Sequence, residues 1–424
     1  MTETLSGALA GRFGEAAGLV TFEWALLLAL AAMAGHLVQR YTQLPKIVGY
    51  AVVGVLAGLL GFASAAWPLA GIGLFLLELG IAVVLFEAGG RIPLRWFRHN
   101  PMVLAQSVLE SVLTYAAVYW VLIWMDVRPS VAEALAIVAI VASPAVLTRV
   151  VMDTRASGPV TERAIVLATL GTLYALTWGS AKAGLLNRHD AALSDTFYPV
   201  AVVLGLSIVV GAVLALALRT ALRVMSPTSE NTSMMVLALI AAGTAMAAHF
   251  GGSAPLAALL GGMLLKQLNP RPWTWPRQLG TAASILTTLM FVLVSVVAAQ
   301  ADWSKPVAGL VLAVIGVRAL AKITGVALAN PGSGASWRQA LWVGCAMAPM
   351  SSVALLLVSQ FVVSSPANGP MIARIALPAI LLMEVLGAVI ATVAVYRSGE
   401  SIKPWLAPPS PPEPRERAGE AHGT

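Results

Sequence analysis

The sequence predicts an all-α polytopic membrane protein with about thirteen spans, two of them discontinuous, folded as inverted repeats. Three observations carry that prediction. Of 424 residues, 58% are hydrophobic and 11% charged, and the mean hydropathy is +0.84, more apolar surface than a soluble globular chain needs. Apolar runs of about twenty residues, the length that crosses a bilayer, recur between short polar stretches. Two of the runs carry a proline at corresponding places, Pro144 and Pro349, where a helix has to break.

Taken in order, the runs are separated by two kinds of boundary. Runs 20–39 and 44–61 are divided by Arg40 and Lys46, and runs 69–89 and 101–125 by Arg91, Arg95 and Arg98. Arg149, Arg155 and Arg163 stand at the junction of 131–151 with 163–183, and Arg219 and Arg223 between 197–219 and 233–250. Lys266, Arg271 and Arg277 divide 254–267 from 279–300, and Arg338 marks the start of 337–363 after 306–329. The last run, 371–396, is followed by Arg397, Lys403, Arg415 and Arg417. These boundaries hold eighteen of the 26 Lys and Arg residues, whereas the alternate ones hold Arg12, Arg128, Lys182, Arg188, Lys305 and Arg374. Cytoplasmic loops carry the basic excess, so the N-terminus is expected outside an inner or plasma membrane and the C-terminus in the cytoplasm.

Ser143-Pro144 interrupts the fifth run, and Ala348-Pro349, followed by Ser351 and Ser352, interrupts the twelfth. A break frees carbonyls, and in hydrocarbon these persist only where they face protein or a water-filled cavity. If runs one to six and eight to thirteen are the two halves, the offset of seven makes equivalent helices antiparallel and pairs the fifth run with the twelfth. Interrupted spans in corresponding halves mark a binding site where the breaks meet, the arrangement of a transporter.

Ionisable groups deep in a span are costly unless paired or hydrated. Here they are Glu78, Glu110, Arg318, Lys322 and Glu384. Glu78 and Arg318 fall at similar depth with opposite charge, so a structural ion pair between them is expected. Glu110 and Glu384 have no evident cationic partner, which leaves each as a proton carrier or a hydrogen-bonding group between helices. Glu87 lies nearer a span end and is the third candidate carrier.

Residues 1–19 form an N-terminal tail, 20–396 the membrane domain, and 397–424 a polar, proline-rich cytoplasmic tail expected to be disordered. The net charge of +7 is dispersed over loops, as a topology signal is, and points to no nucleic-acid partner. The single cysteine, Cys345, excludes a disulfide framework and a Cys/His metal cluster. No hydrolytic triad or phosphate-cradling loop occurs, so the chain does not read as an enzyme, and no cofactor or metal is expected.

Several stretches resemble the monovalent cation:proton antiporter superfamily, which includes the sodium/hydrogen exchangers. Leu44-Pro45-Lys46-Ile47-Val48-Gly49-Tyr50 with Gly54 and Gly58 is similar to its second span, and Glu78-Leu79-Gly80 leading to Leu85-Phe86-Glu87-Ala88-Gly89-Gly90 to its third. Gly252-Ser253-Ala254-Pro255-Leu256-Ala257 with Gly261-Gly262 resembles the ninth, and the likeness continues through Met290-Phe291-Val292-Leu293-Val294 and Arg318 to the Pro349 break. The resemblance implies two crossed discontinuous helices, a dimerisation part, a mobile core, and exchange of monovalent cations against protons by a homodimer in the lipid bilayer. It matches Glu78 and Arg318 to a buried acid and base.

One departure stands out. The superfamily's ion-binding carboxylate should fall near Gly171-Thr172, and no carboxylate occurs after Glu162 as far as Leu186. A threonine hydroxyl can coordinate Na+ but cannot release a proton near neutral pH. The resemblance therefore implies Na+(K+)/H+ antiport by alternating access with relocated or weakened coupling, in which Ser143, Thr172 and carbonyls near Pro144, Gly171, Pro349 and Ser351 touch the cation. Glu110, Glu384 or Glu87 then carries the proton. The alternatives are a non-exchanging membrane protein that keeps the scaffold as a sensor or structural element, and a carrier of another solute.

Overall fold

The computed structural model describes residues 17–61, 67–69, 71–92, 94–183, 185, 193–226, 229–269, 277–301, 304–350 and 352–402. Nearly all of them are helical, and the described residues include no strand beyond an isolated bridge between Ala156 and Ser401. In chain order the helices are α1 (Ala17–Thr42), α2 (Lys46–Leu59), α3 (Gly71–Gly90), α4 (Leu94–His99), α5 (Pro101–Trp124), α6 (Pro129–Ile140), α7 (Pro144–Thr154) and α8 (Pro159–Ala183). They continue as α9 (Leu193–Val224), α10 (Glu230–His249), α11 (Ala254–Leu268), α12 (Arg277–Ala299), α13 (Lys305–Leu328), α14 (Trp337–Ala346), α15 (Ser352–Ser364) and α16 (Gly369–Arg397). Counting α6 and α7 as one segment, ten stretches are long and apolar enough to cross a bilayer, while α2, α11 and α15 are apolar but shorter.

The packing is reciprocal in the way an inverted repeat demands. With an offset of seven spans, α2 corresponds to α11 and α3 to α12, and the structure packs α2 on α12 and α3 on α11. The equivalent pair α5 and α13 also pack directly on each other. Glycines permit these contacts. A Cβ on Gly262 would collide with the Phe86 carbonyl, and one on Gly89 with the Leu259 carbonyl, so α3 and α11 meet backbone to backbone. On the other pair, Gly54 faces the Val292 carbonyl and Gly58 the Val296 carbonyl of α12.

Both sequence breaks are present. In the first, α6 ends at Ile140 and Pro144 is the first residue of α7, where its missing N–H costs nothing. Ser143 caps α7, its Oγ accepting the Val146 N–H at 3.3 Å. In the second, α14 ends at Ala346, and Met347 to Met350 lead as a non-helical link toward α15. The two links touch: the Ser143 N–H donates to the Pro349 carbonyl at 3.0 Å.

The expected terminal tail begins later than residue 397. Glu400 folds back on the start of α8, its carboxylate accepting the Val160 and Thr161 N–H groups, each at 2.7 Å. The Ser157 N–H donates to the Glu400 carbonyl at 3.1 Å, and Ser401 Oγ to the Thr154 carbonyl at 2.9 Å. A helix N-terminus attracts a carboxylate through its unpaired N–H groups and its dipole, a local interaction that the composition of the segment does not register. The rest of the tail, from residue 403, and residues 1–16 lie outside the described residues.

Gly262→Ala forces the α3 and α11 backbones apart and should cost about 1–3 kcal/mol, as overpacking does. Gly316→Ala, on α13 with nothing within 4 Å of the added Cβ, should cost nothing measurable. Thermal unfolding of the two detergent-solubilised variants distinguishes these outcomes.

Candidate functional site

The links between half-helices expose carbonyls at the centre of the bundle, and α13 supplies the donors that satisfy them. Arg318 is completely buried. Its Nε donates to Ala139 O at 2.9 Å, Nη1 to Ala348 O at 2.6 Å, and Nη2 to Val141 O at 2.7 Å, with Met347 O and Pro349 O at 3.3 and 3.4 Å. The five oxygens come from both breaks and cluster at the C-terminal ends of α6 and α14. A cation belongs there, because the helix dipoles place roughly half a negative charge at each end.

Arg318 therefore does not pair with Glu78, contrary to the expectation from depth and charge. Its donors are taken up by carbonyls, and α13 packs against α5, whereas α3 packs against α11 and α12. Glu78 is half-buried and has no ion-pair partner among the described residues.

One turn after Arg318, Lys322 is also completely buried, and here an ion pair does form. Its ammonium contacts Glu110 Oε1 and donates to the Ile140 carbonyl at 2.9 Å. Glu110, on α5, also accepts Thr114 Oγ1 at 3.2 Å and Ser111 Oγ at 3.3 Å. The sequence reading missed this partner because Glu110 and Lys322 are 212 positions apart. A signal for it exists: Gln106, Ser107, Glu110, Ser111 and Thr114 form a polar stripe at helical spacing on an otherwise apolar span, and all five are buried. Lys322 stands at i+4 from Arg318, on the same face of α13.

Gly171 and Thr172 lie against this pair. A Cβ on Gly171 would stand 3.4 Å from Ile140 O, 3.7 Å from Ser111 Oγ and 3.9 Å from Glu110 Oε2. The Thr172 hydroxyl is 2.8 Å from both Ala142 O and Ala168 O and donates to one of them. Glu110 thus projects from α5 into the neighbourhood where α8 carries no carboxylate. The carbonyls expected to contact a cation beside Pro144 and Pro349 are instead bonded to Arg318, Lys322, Thr172 and Ser143. Ser351 lies outside the described residues.

The other candidate carriers are elsewhere. Glu384 on α16 is completely buried; Ser295 Oγ of α12 donates to its Oε2 at 3.1 Å, and its Oε1 has no hydrogen-bond partner among the described residues. One turn on, Gly387 packs against the Pro349 backbone. Glu87 makes an i,i+4 pair with Arg91 at 2.6 Å near the end of α3, partly exposed, as a surface pair is. Among the described residues, no group of three or more His, Cys, Asp and Glu could hold a metal ion.

Beside the Glu110 pair lies an apolar cavity of about 340 Å³, walled by Val108, Val112, Tyr115, Tyr174 and Trp178. Ser111 and Ile140 line it too, the first bonded to Glu110 and the second to Lys322. Tyr174 OH and Ser107 Oγ, 2.9 Å apart, close the polar stripe at one side.

A buried ion pair beside two broken helices, in a bundle of inverted repeats, defines a membrane transporter of the secondary, ion-coupled kind. Comparison with known proteins agrees: the family model described as sodium/hydrogen exchanger, transmembrane, matches residues 25–396, and the chain belongs to that family of cation/proton antiporters. The fold is similar to that of the sodium proton antiporter MjNhaP1 from Methanocaldococcus jannaschii at pH 8, with a TM-score of 0.68 and 15% identity over 89% of this chain and 98% of that one. It is equally similar to a structure of MjNhaP1 from an electron-microscopy map, with a TM-score of 0.68 and 16% identity over 90% and 98% of the two chains. No curated protein matches the sequence.

Lys322→Met leaves Glu110 as an uncompensated buried charge and should destabilise the protein by about 3–5 kcal/mol. Glu110→Gln combined with Lys322→Met removes both charges and should cost less than the sum of the single changes, measured as a double-mutant cycle on thermal unfolding.

Proposed function

We propose that the protein exchanges Na+ or K+ for protons by alternating access, with the coupled site moved from α8 to the Glu110–Lys322 pair between α5 and α13. The observation that carries this reading is the location of that pair, buried against Gly171 and Ile140 at the first break. The surrounding oxygens suit a hard monovalent cation: the Glu110 carboxylate, Ser111 Oγ, Thr114 Oγ1, and Ile140 O once Lys322 withdraws. A cation on Glu110 displaces the ammonium, and an ammonium without an anionic partner in apolar surroundings gives its proton to water. When the cation leaves, Lys322 takes a proton and closes the pair again. Each cation bound releases one proton, so the charge of the site stays constant.

Two groups of helices would move against each other in such a cycle. One contains α5 to α8 and α13 to α16, which hold the pair and the breaks; the other contains α1 to α3 and α9 to α12. Thirteen crossings would include the short apolar helices α2, α11 and α15 beside the ten longer spans, with the two half-helix pairs crossing at the breaks. The second group forms the homodimer contact, by likeness to the family. The basic excess of alternate loops supports an N-terminus outside and a C-terminus in the cytoplasm. Glu384 serves the contact between the groups through Ser295 and carries no proton in exchange.

The closed state of the pair also favours a second reading, a descendant that keeps the scaffold and no longer transports. Proteoliposomes separate the two. Na+- or K+-dependent pH change between about pH 6 and 9 is expected from the wild type, and its absence would overturn the exchange reading. Lys322→Arg retains the pair but holds its proton, so exchange should fall roughly tenfold or more. Glu384→Gln should leave exchange within about twofold of wild type. Wild-type exchange by Lys322→Arg would remove Lys322 from the coupling.

A further inference from the structure

At one end of the bundle, where α14 begins and α16 finishes, a second cavity of about 320 Å³ opens between the two helices. It is unlike the apolar one beside Glu110. Arg338 lines it from α14 and Arg397 from α16, and neither guanidinium has a hydrogen bond or ion pair with another described residue. Trp342 lines it one turn below Arg338, and its indole Nε1 is a buried donor without an acceptor among the described residues. None of the lining residues is acidic. The nearby Glu400 is held by the Val160 and Thr161 N–H groups of α8.

We infer that this cavity is a binding site for the phosphate of an anionic phospholipid. Arg338 and Arg397, both exposed and without a partner among the described residues, line it together with Trp342, and a phosphate offers both the oxygens and the charge. The start of α14 adds its positive dipole end; there the capping box between Ser336 and Gln339 satisfies the Ser336 and Gln339 N–H groups, while the intervening ones stay open. A lipid is favoured over free phosphate because α14, which lines the cavity, also carries exposed apolar side chains. Trp337 and Leu341, at i and i+4 on α14, are 64% and 40% exposed and offer a track for an acyl chain beside the headgroup. Basic pockets between membrane helices are suited to such headgroups. The site joins α14, half of the second broken span, to α16. It stands whether or not the protein exchanges ions.

The test measures stabilisation of the purified, detergent-solubilised protein against heat as dioleoylphosphatidylglycerol is titrated, with dioleoylphosphatidylcholine and inorganic phosphate as the other arms. Phosphatidylglycerol should raise the unfolding midpoint with saturation, and the other two should not. In Arg338→Ala/Arg397→Ala the half-saturating concentration should rise at least about tenfold, whereas Arg40→Ala/Arg223→Ala should bind as wild type does. Trp342→Phe, which keeps an aromatic side chain and removes the N–H, should weaken binding with the fold unchanged. Lipid bound by native mass spectrometry supplies a readout for any variant whose unfolding midpoint is already lowered. Equal stabilisation by both lipids, saturation by inorganic phosphate alone, or unchanged binding by the Arg338/Arg397 variant would each overturn the assignment.

Discussion

Hydrocarbon offers no water to a carbonyl released from a helix, and two broken spans release several at the same depth. In this protein one guanidinium answers for most of them. Arg318 takes Ala139 and Val141 from the first break and Met347, Ala348 and Pro349 from the second. Lys322 takes Ile140, Thr172 reaches Ala142, and the Ser143 N–H closes the ring on Pro349. A lysine at position 318 would have three donors on a single nitrogen and could not reach both helix ends in this way. The breaks are therefore held together by a fixed cation, and one turn along α13 a second one, Lys322, is paired with Glu110.

Much of the architecture was legible because hydrocarbon imposes it. Apolar run lengths located the helices, and Pro144 and Pro349 located the breaks, since a missing N–H in a span has few explanations. The partners of the buried charges were not legible in the same way. Depth can be read from position in a run, and on depth alone Glu78 and Arg318 look matched. Direction around the helix axis decides instead: the face of α13 bearing Arg318 and Lys322 turns to α5 and to the broken helices. The stripe from Gln106 to Thr114 records that direction on α5, but only as a set of side chains whose common face matters more than any one charge. The Glu400 contact was invisible for a different reason, because a single carboxylate on a helix N-terminus leaves no trace in composition.

The two helix groups touch through polar contacts as well as apolar ones. Arg149 on α7 donates to Tyr50 OH of α2 at 3.1 Å and lies 3.5 Å from Ser284 Oγ of α12, and the Lys46 N–H at the start of α2 donates to Asp153 at 3.3 Å. Ser295 and Glu384 make a further contact between α12 and α16. Within the second group, by contrast, glycines bring backbones into direct contact at α2–α12 and α3–α11. Close backbone packing resists sliding, whereas a few side-chain hydrogen bonds can be exchanged at modest cost. The second group is thus held by close backbone packing, whereas side-chain hydrogen bonds join it to the first.

The missing carboxylate on α8 and the presence of Glu110 on α5 are two sides of one arrangement. A side chain at position 171 would place its Cβ within 4 Å of Glu110 Oε2 and Ser111 Oγ, so a carboxylate built there would stand against one already present. Two such charges with a single ammonium between them cannot both remain ionised in a dry interior. Glycine removes the conflict by leaving the space to Glu110, and Thr172 beside it spends its hydroxyl on a backbone carbonyl instead of on an ion. Glu110 thus occupies the space that a longer side chain at position 171 would need, beside the first break.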